Sequence, residues 1–81
     1  LVKEFTMNLN GKFYYKIDVQ SRSHGYSFMV RSDDELSDDE AISRALTADC
    51  FTDEDDADAA TVDPLIDETD VAAFANSTYD V

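Results

Sequence analysis

Acidic side chains are concentrated in the second half of the chain, where "DEDDADAATVDP" (residues 53–64) offers many carboxylate oxygens to a cation. An EF-hand calcium loop places such oxygens at alternating positions, with glycine at position six and a bidentate glutamate at position twelve. Counted from Asp53, those positions hold Asp58 and Pro64. The spacing fails where it is most diagnostic, so we expect no metal site and no cofactor.

Two residues could carry acid–base or nucleophilic chemistry, His24 and Cys50, and each occurs once. His24 lies in a predicted turn, "SRSHG", away from any apolar pocket that would shift its pKa. Cys50 stands among acids, which disfavour a reactive thiolate, and we expect it to be a small core residue. A lone histidine and a lone cysteine are also too few for structural zinc. We therefore expect no enzyme.

The chain carries a net charge of −13 that is unevenly distributed. Residues 1–32 contain five basic and two acidic side chains, a charge of +3, whereas residues 33–81 contain seventeen acids and a single Arg44, a charge of −16. Because affinity for nucleic acid comes mainly from Lys and Arg at phosphates, direct binding to nucleic acid is not expected. No run approaches the ~20 apolar residues that span a bilayer, so no membrane partner is expected.

The acids form two clusters that could imitate a line of phosphates. Duplex DNA presents one charge per ~1.7 Å of its axis, and a helix rises ~1.5 Å per residue, so acids clustered on a helix and loop approach that density. The head cluster consists of Asp33, Asp34, Glu35, Asp38, Asp39 and Glu40, and the tail cluster consists of Asp53, Glu54, Asp55, Asp56 and Asp58. Such a surface suits the basic channel of a nucleic-acid-binding protein.

The small size, the single predicted α+β domain and the runs "SDDELSDDE" and "DEDDADAA" resemble the small acidic DNA mimics of bacteriophages and mobile elements, the anti-CRISPR and anti-restriction proteins. The resemblance implies a non-enzymatic inhibitor that occupies the DNA-binding surface of a CRISPR–Cas or restriction complex. Its partner would be a basic nucleic-acid-binding protein or complex of the host, bound through the head and tail clusters. We expect a monomer in the cytoplasm of the host bacterial cell.

Two other interpretations of the charge remain open. Acidic surface can be an adaptation to molar salt, although such adaptation should extend over the whole chain. The acidic half could instead cap a basic protein, as a generic interaction module or an antitoxin-like partner would. Salt response separates them: a salt-adapted protein loses stability below molar salt, whereas a mimic folds at low salt and loses its partner as salt rises.

The first segment, residues 1–32, predicts a three-stranded antiparallel β-meander. A two-residue loop at Asn10-Gly11 would send the two apolar sets of the first hairpin to opposite faces, so we predict a three-residue bulged loop that pairs Met7 with Phe13 and Phe5 with Tyr15. A four-residue second loop pairs Val19 with Tyr26. All large apolar side chains of this meander then share one face, which needs a cover.

Helical signals follow the meander. Ser37 and Glu40 predict a capping box that opens a helix over 37–51, with Ile42, Ala45 and Leu46 on the sheet. Residues 52–62 predict an exposed acidic loop, an extended arm or a frayed helical turn. Residues 63–81 predict a helix and tail, with Asp63 as N-cap, Pro64 at the first helical position, and Leu65, Ile66, Ala73 and Phe74 toward the core. From residue 69 a strand is the alternative. The expected fold is α+β, with one sheet face covered by one or two helices.

Overall fold

The computed structural model describes residues 7–9, 11–21 and 25–81, and it has the expected α+β architecture. Within these ranges five strands form one mixed sheet: β1 (Met7–Leu9), β2 (Lys12–Gln20), β3 (Gly25–Ser32), β4 (Ala60–Val62) and β5 (Thr78–Asp80). The helices are α1 (Asp38–Thr47) and α2 (Glu68–Ala73), with 3-10 turns at Glu54–Ala59 and Ala75–Ser77. Within the described ranges no helix is long and apolar enough to cross a bilayer.

Strand β2 lies at the centre of the sheet. It pairs antiparallel with β3 along one edge, while its other edge pairs with β1 at its start and with β4 at its end. Strand β5 pairs parallel with the outer edge of β3. The expected three-stranded meander is therefore incomplete, because two short strands from the acidic half of the chain join the sheet.

Two crossovers pass over opposite faces of this sheet. The connection from β3 to β4 carries α1 across the first face, where Ala41 and Ala45 are fully buried against a cluster that includes Ile17 and Val19. The connection from β4 to β5 returns to the far edge of β3 and crosses the second face. There Lys16 contacts both ends of it, with its ammonium 3.7 Å from the Asp63 carboxylate and 5.4 Å from the centre of the Phe74 ring.

The predicted register of the first hairpin is wrong. Met7 pairs with Tyr14 and Leu9 with Lys12, which leaves a two-residue loop with Gly11 at a φ of +79°. The prediction excludes this register because it places apolar residues on both faces of the sheet. Both faces are in fact covered: Tyr14 is buried and Met29 is fully buried on the second face. Phe5 lies outside the described residues.

The second hairpin follows the predicted register. Val19 pairs with Tyr26 and Gln20 with Gly25, so the loop has four residues. This pairing aligns Tyr15 with Val30 and Ile17 with Phe28 on the first face. Those four side chains belong to the cluster that α1 covers.

Helix α1 begins as predicted and ends early. The Ser37 hydroxyl accepts from the Glu40 amide at 3.2 Å, and the Glu40 carboxylate accepts from the Ser37 amide at 3.5 Å. The helix stops at Thr47 because Asp49 adopts a φ of +61°. Asp49 and Cys50 then donate their amides to the carbonyls of Leu46 and Ala45 at 3.1 and 2.9 Å, a Schellman ending. The predicted end at 51 is corrected, and Leu46 is largely exposed.

The C-terminal helix is present, but its predicted start at Pro64 is wrong. A capping box that began at Asp63 would need an acidic or amide side chain at the third helical position, which is Ile66. The Asp63 carboxylate instead accepts from the Leu65 amide at 3.0 Å. The helix begins four residues later, where Asp67 and Asp70 form a capping box.

Side chains expected in the core from this segment are more exposed than predicted. Leu65 and Ala73 are exposed, and Ile66 and Phe74 are half-buried. The strand that was the alternative after residue 69 is realised only at β5. In the acidic segment 52–62, the frayed-turn alternative matches the 3-10 turn, and the strand β4 was not expected.

The left-handed residue at the end of α1 is a site where stability can be gained. Replacing Asp49 with glycine should raise the free energy of unfolding by about 0.5 to 1 kcal/mol, because glycine adopts this conformation without steric cost. Urea denaturation of both proteins measures the difference. Asp49→Asn removes the same charge but keeps a side chain, so the difference between the two variants separates the conformational gain from the electrostatic gain at the helix C-terminus. A loss of stability in the glycine variant would contradict the assignment.

Candidate acidic interface

The tail cluster is fixed to the sheet by one tyrosine hydroxyl. The Tyr26 hydroxyl on β3 donates to the Asp56 carboxylate at 2.6 Å, and the Tyr26 hydroxyl oxygen accepts from the Thr52 amide at 3.1 Å. The Asp53 carboxylate accepts from the Asp55 amide at 3.1 Å and caps the 3-10 turn. The acidic segment therefore has a defined backbone conformation.

Asp56 is not part of the exposed acidic surface. Only 5% of it is accessible, although the sequence places it in the middle of the run "DEDDAD". Its carboxylate faces Tyr26 and joins the turn to β3. The expectation that all five tail acids face solvent is corrected for this residue.

The other acids of the tail cluster are exposed. Asp53 uses its carboxylate as a cap, whereas Glu54, Asp55 and Asp58 take part in no side-chain hydrogen bond or ion pair with the described part of the chain. These three carboxylates are consequently available to a partner without loss of a structural contact.

The head cluster is positioned by buried hydrogen bonds beneath it. The Tyr15 hydroxyl accepts from the Leu36 amide at 2.6 Å, and the buried Ser32 hydroxyl accepts from the Asp34 amide at 3.0 Å. All six acids of the cluster are exposed: Asp33, Asp34, Glu35, Asp38, Asp39 and Glu40. The structure thus holds the backbone rigidly and leaves the carboxylates in solvent.

Two members of the head cluster are partly neutralised. The Lys12 ammonium lies 2.6 Å from the Asp33 carboxylate, and the Arg44 guanidinium lies 3.9 Å from that of Asp34. The hydrogen bond to Asp33 is the main reason that the pKa of Lys12 is raised. The unpaired charge of the head cluster is therefore concentrated on Glu35 and on the first turn of α1.

Within residues 7–9, 11–21 and 25–81, every Lys and Arg lies within 4 Å of a carboxylate. Besides the two pairs of the head cluster, Lys16 pairs with Asp63, and Arg31 holds both oxygens of Asp80 at 2.6 and 2.8 Å. The Arg31 guanidinium lowers the pKa of the Asp80 carboxyl, and Asp80 in turn raises the pKa of Arg31. Lys12, Lys16 and Arg31 of the meander thus serve internal pairs.

The remaining sequence candidates are His24 and Cys50. His24 lies outside the described residues. Cys50 is half-buried against the core, and its pKa is raised first by burial and then by the neighbouring charge of Asp49. Among the described residues, no three His, Cys, Asp or Glu side chains are grouped as a metal site would require.

One surface depression was not anticipated from the sequence. It has a volume of about 240 Å³ and is lined by Arg44, Thr47, Ala48 and Val81, where the end of α1 meets the residue after β5. This volume is below the ~300 Å³ at which small-molecule pockets usually begin. Its lining includes no carboxylate, histidine or cysteine. No sequence signal could have found it, because it depends on the position of β5.

No protein-family model, curated protein or solved structure matches the chain.

Removing the hydroxyl that fixes the acidic turn should destabilise the protein. Tyr26→Phe leaves the buried Asp56 carboxylate and the Thr52 amide without this partner, and we expect the free energy of unfolding to fall by about 2 kcal/mol. Urea denaturation measures the loss. Tyr79→Phe is the matched control, because the Tyr79 ring contacts Phe28 and its hydroxyl makes no bond with the described residues. Equal effects of the two substitutions would contradict the role of Tyr26.

The raised pKa of Cys50 should be measurable by alkylation. The rate of reaction with iodoacetamide should rise with pH around a midpoint above the ~8.5 of an ordinary thiol, because burial and the Asp49 charge both disfavour the thiolate. In urea the midpoint should return to the ordinary value. Asp49→Asn should lower the midpoint of the folded protein only in part. A folded-state midpoint below 8.5 would show that Cys50 is activated and reopen a nucleophilic role.

Proposed function

We propose that the protein is a non-enzymatic acidic inhibitor that imitates nucleic acid and occupies the basic DNA-binding surface of a host defence complex, a CRISPR–Cas or restriction system. Target DNA would then be excluded from that surface. The proposal places the protein in the cytoplasm of the host bacterium as a monomer. Its family context rests on the resemblance in size and acidic runs described above.

The observation that carries the proposal is the internal pairing of the cations. Each Lys and Arg in the described ranges already has a carboxylate partner, while Glu35, Asp38, Asp39, Glu54, Asp55 and Asp58 face solvent without such a pair. A surface of this composition repels phosphate and attracts Lys and Arg side chains of a partner.

The presence of two separate clusters favours a partner that binds an extended line of negative charge, such as DNA, over one that binds a single charged spot. The head cluster includes the first turn of α1, and the tail cluster follows the end of this helix, whose ten residues span about 15 Å at the usual rise. This length corresponds to roughly four phosphates along one DNA strand, which are ~3.4 Å apart in projection on the axis. A basic surface shaped for DNA could therefore contact both clusters at once.

Capture of the partner and competition by DNA test the proposal. Tagged protein is incubated with a lysate of its host cells at ~0.15 M and ~0.5 M salt, and captured proteins are identified by mass spectrometry. We expect one nucleic-acid-binding complex at the lower salt, displaced by its own target DNA. A partner that DNA cannot displace would support the generic interaction module instead. No partner, together with folding only at molar salt, would support salt adaptation.

Substitution of the unbonded tail acids should weaken inhibition without unfolding the protein. The triple variant Glu54→Gln, Asp55→Asn, Asp58→Asn keeps Asp53 as cap and Asp56 as the partner of Tyr26. We expect about tenfold weaker binding, from the loss of three exposed charge contacts. The measurement is the concentration that half-displaces DNA from the captured complex, with urea denaturation as the check on folding.

A matched pair of single substitutions separates position from total charge. Asp55→Asn and Glu68→Gln remove one exposed charge each, but only Asp55 belongs to a cluster. We expect Asp55→Asn to weaken displacement of DNA and Glu68→Gln to have little effect. Equal effects would mean that net charge, and not the tail cluster, determines binding.

A further inference from the structure

The segment that follows β4 has no buried residue, and besides its polar contacts it touches the core only through the Tyr79 ring against Phe28 and through Val81 among the described residues. None of the side chains in residues 64–81 is buried, whereas β2, β3 and α1 all contribute to the core. Helix α2 has six residues and β5 has three. We call this segment, residues 64–81, the C-terminal strap.

Despite its exposure, the strap covers part of the core. It crosses the second face of the sheet, where Met29 is fully buried and Tyr14 is buried. It then closes the outer edge of β3 through the parallel pairing of β5. Helix α1 lies on the opposite face and cannot provide this cover.

The strap is held at its two ends. At its root, Asp63 pairs with Lys16, and the Asp63 amide donates to the Lys16 carbonyl at 2.9 Å. At its far end, Arg31 binds both oxygens of Asp80, and the Val81 amide donates to the Arg31 carbonyl at 2.9 Å. Between these ends the contacts include the ring of Phe74 against Lys16.

We infer that the C-terminal strap opens as a unit while β2, β3, β4 and α1 stay folded, and that the Arg31–Asp80 pair is the latch that keeps it closed. Opening uncovers the second face at Met29 and Tyr14 and frees the backbone groups on the outer edge of β3. Segments with few buried apolar contacts and exposed hydrogen bonds are those that open below the global unfolding free energy. This inference is independent of the proposed function.

Amide hydrogen exchange followed by NMR tests the strap. The Val81 amide reports the latch, the Phe74 amide reports α2, and the Asp63 and Cys50 amides report the root and the end of α1. We expect opening of Val81 and Phe74 to be at least about tenfold more frequent than opening of the amides in the β2–β3 ladder. Equal opening of all these amides would show that the chain unfolds as one unit and overturn the inference.

The latch is tested by a charge-removing variant with a control in the same segment. Asp80→Asn should increase the opening of Val81 and Phe74 by about tenfold and leave the β2–β3 ladder unchanged. Glu68→Gln removes one charge from the strap without breaking a bond within the described residues, and it should change neither set. If Asp80→Asn accelerated amide exchange equally in the strap and in the β2–β3 ladder, the Arg31–Asp80 pair would stabilise the whole fold, and its assignment as the latch would be overturned.

Discussion

The fold depends on the complete enclosure of β2. This strand pairs with three of the other four strands, and its consecutive residues Tyr14 and Tyr15 are both buried, one on each face of the sheet. A strand with two buried faces needs cover on both. The chain meets that requirement by crossing one face between β3 and β4 and the other between β4 and β5.

The two crossovers differ in what holds them. The first is apolar: α1 inserts small residues, Ala41 and Ala45, against the sheet and is closed by the edge-to-face contact of Phe28 with Phe51 at 5.3 Å. The second depends mainly on Lys16 and Arg31, which contact it through carboxylates and an aromatic ring, and the Tyr79 ring against Phe28 is an apolar contact at its end. Lys16 and Arg31 are therefore structural. Since none of the residues from 64 to 81 is buried, the second crossover is the weaker layer of the molecule.

The sequence predicts those features whose determinants are close together in the chain. The Ser37–Glu40 capping box and the pairing of Val19 with Tyr26 depend on residues within one turn or one hairpin, and both predictions are confirmed. The predicted register of the first hairpin is wrong because the prediction assumes a sheet with one covered face. The cover on the second face comes from residues more than forty positions away, such as Phe74 and Asp80, and no local pattern indicates where they pack.

The same limit applies to the acidic surface. Composition treats the carboxylates of "DEDDAD" as equivalent, yet the structure separates them by role. Asp53 caps a turn and Asp56 is buried against Tyr26, a residue thirty positions earlier. The side chains of Glu54, Asp55 and Asp58 make no hydrogen bond or ion pair with the described residues. The sequence indicates only one of these roles, because Asp53 fits an N-cap position, whereas no local pattern marks Asp56 as buried.

This division also explains how a chain with so much negative charge can present part of it in a fixed geometry. Repulsion among neighbouring carboxylates favours an extended backbone at both clusters. Against it, the Tyr26 hydroxyl fixes the tail cluster and the Tyr15 hydroxyl fixes the approach to the head cluster, each through a neutral donor or acceptor that consumes no exposed charge. Had lysines served as these anchors, they would have neutralised the surface that they position. Tyrosine hydroxyls hold the backbone and leave the outward field negative, which the proposed binding of a basic partner requires.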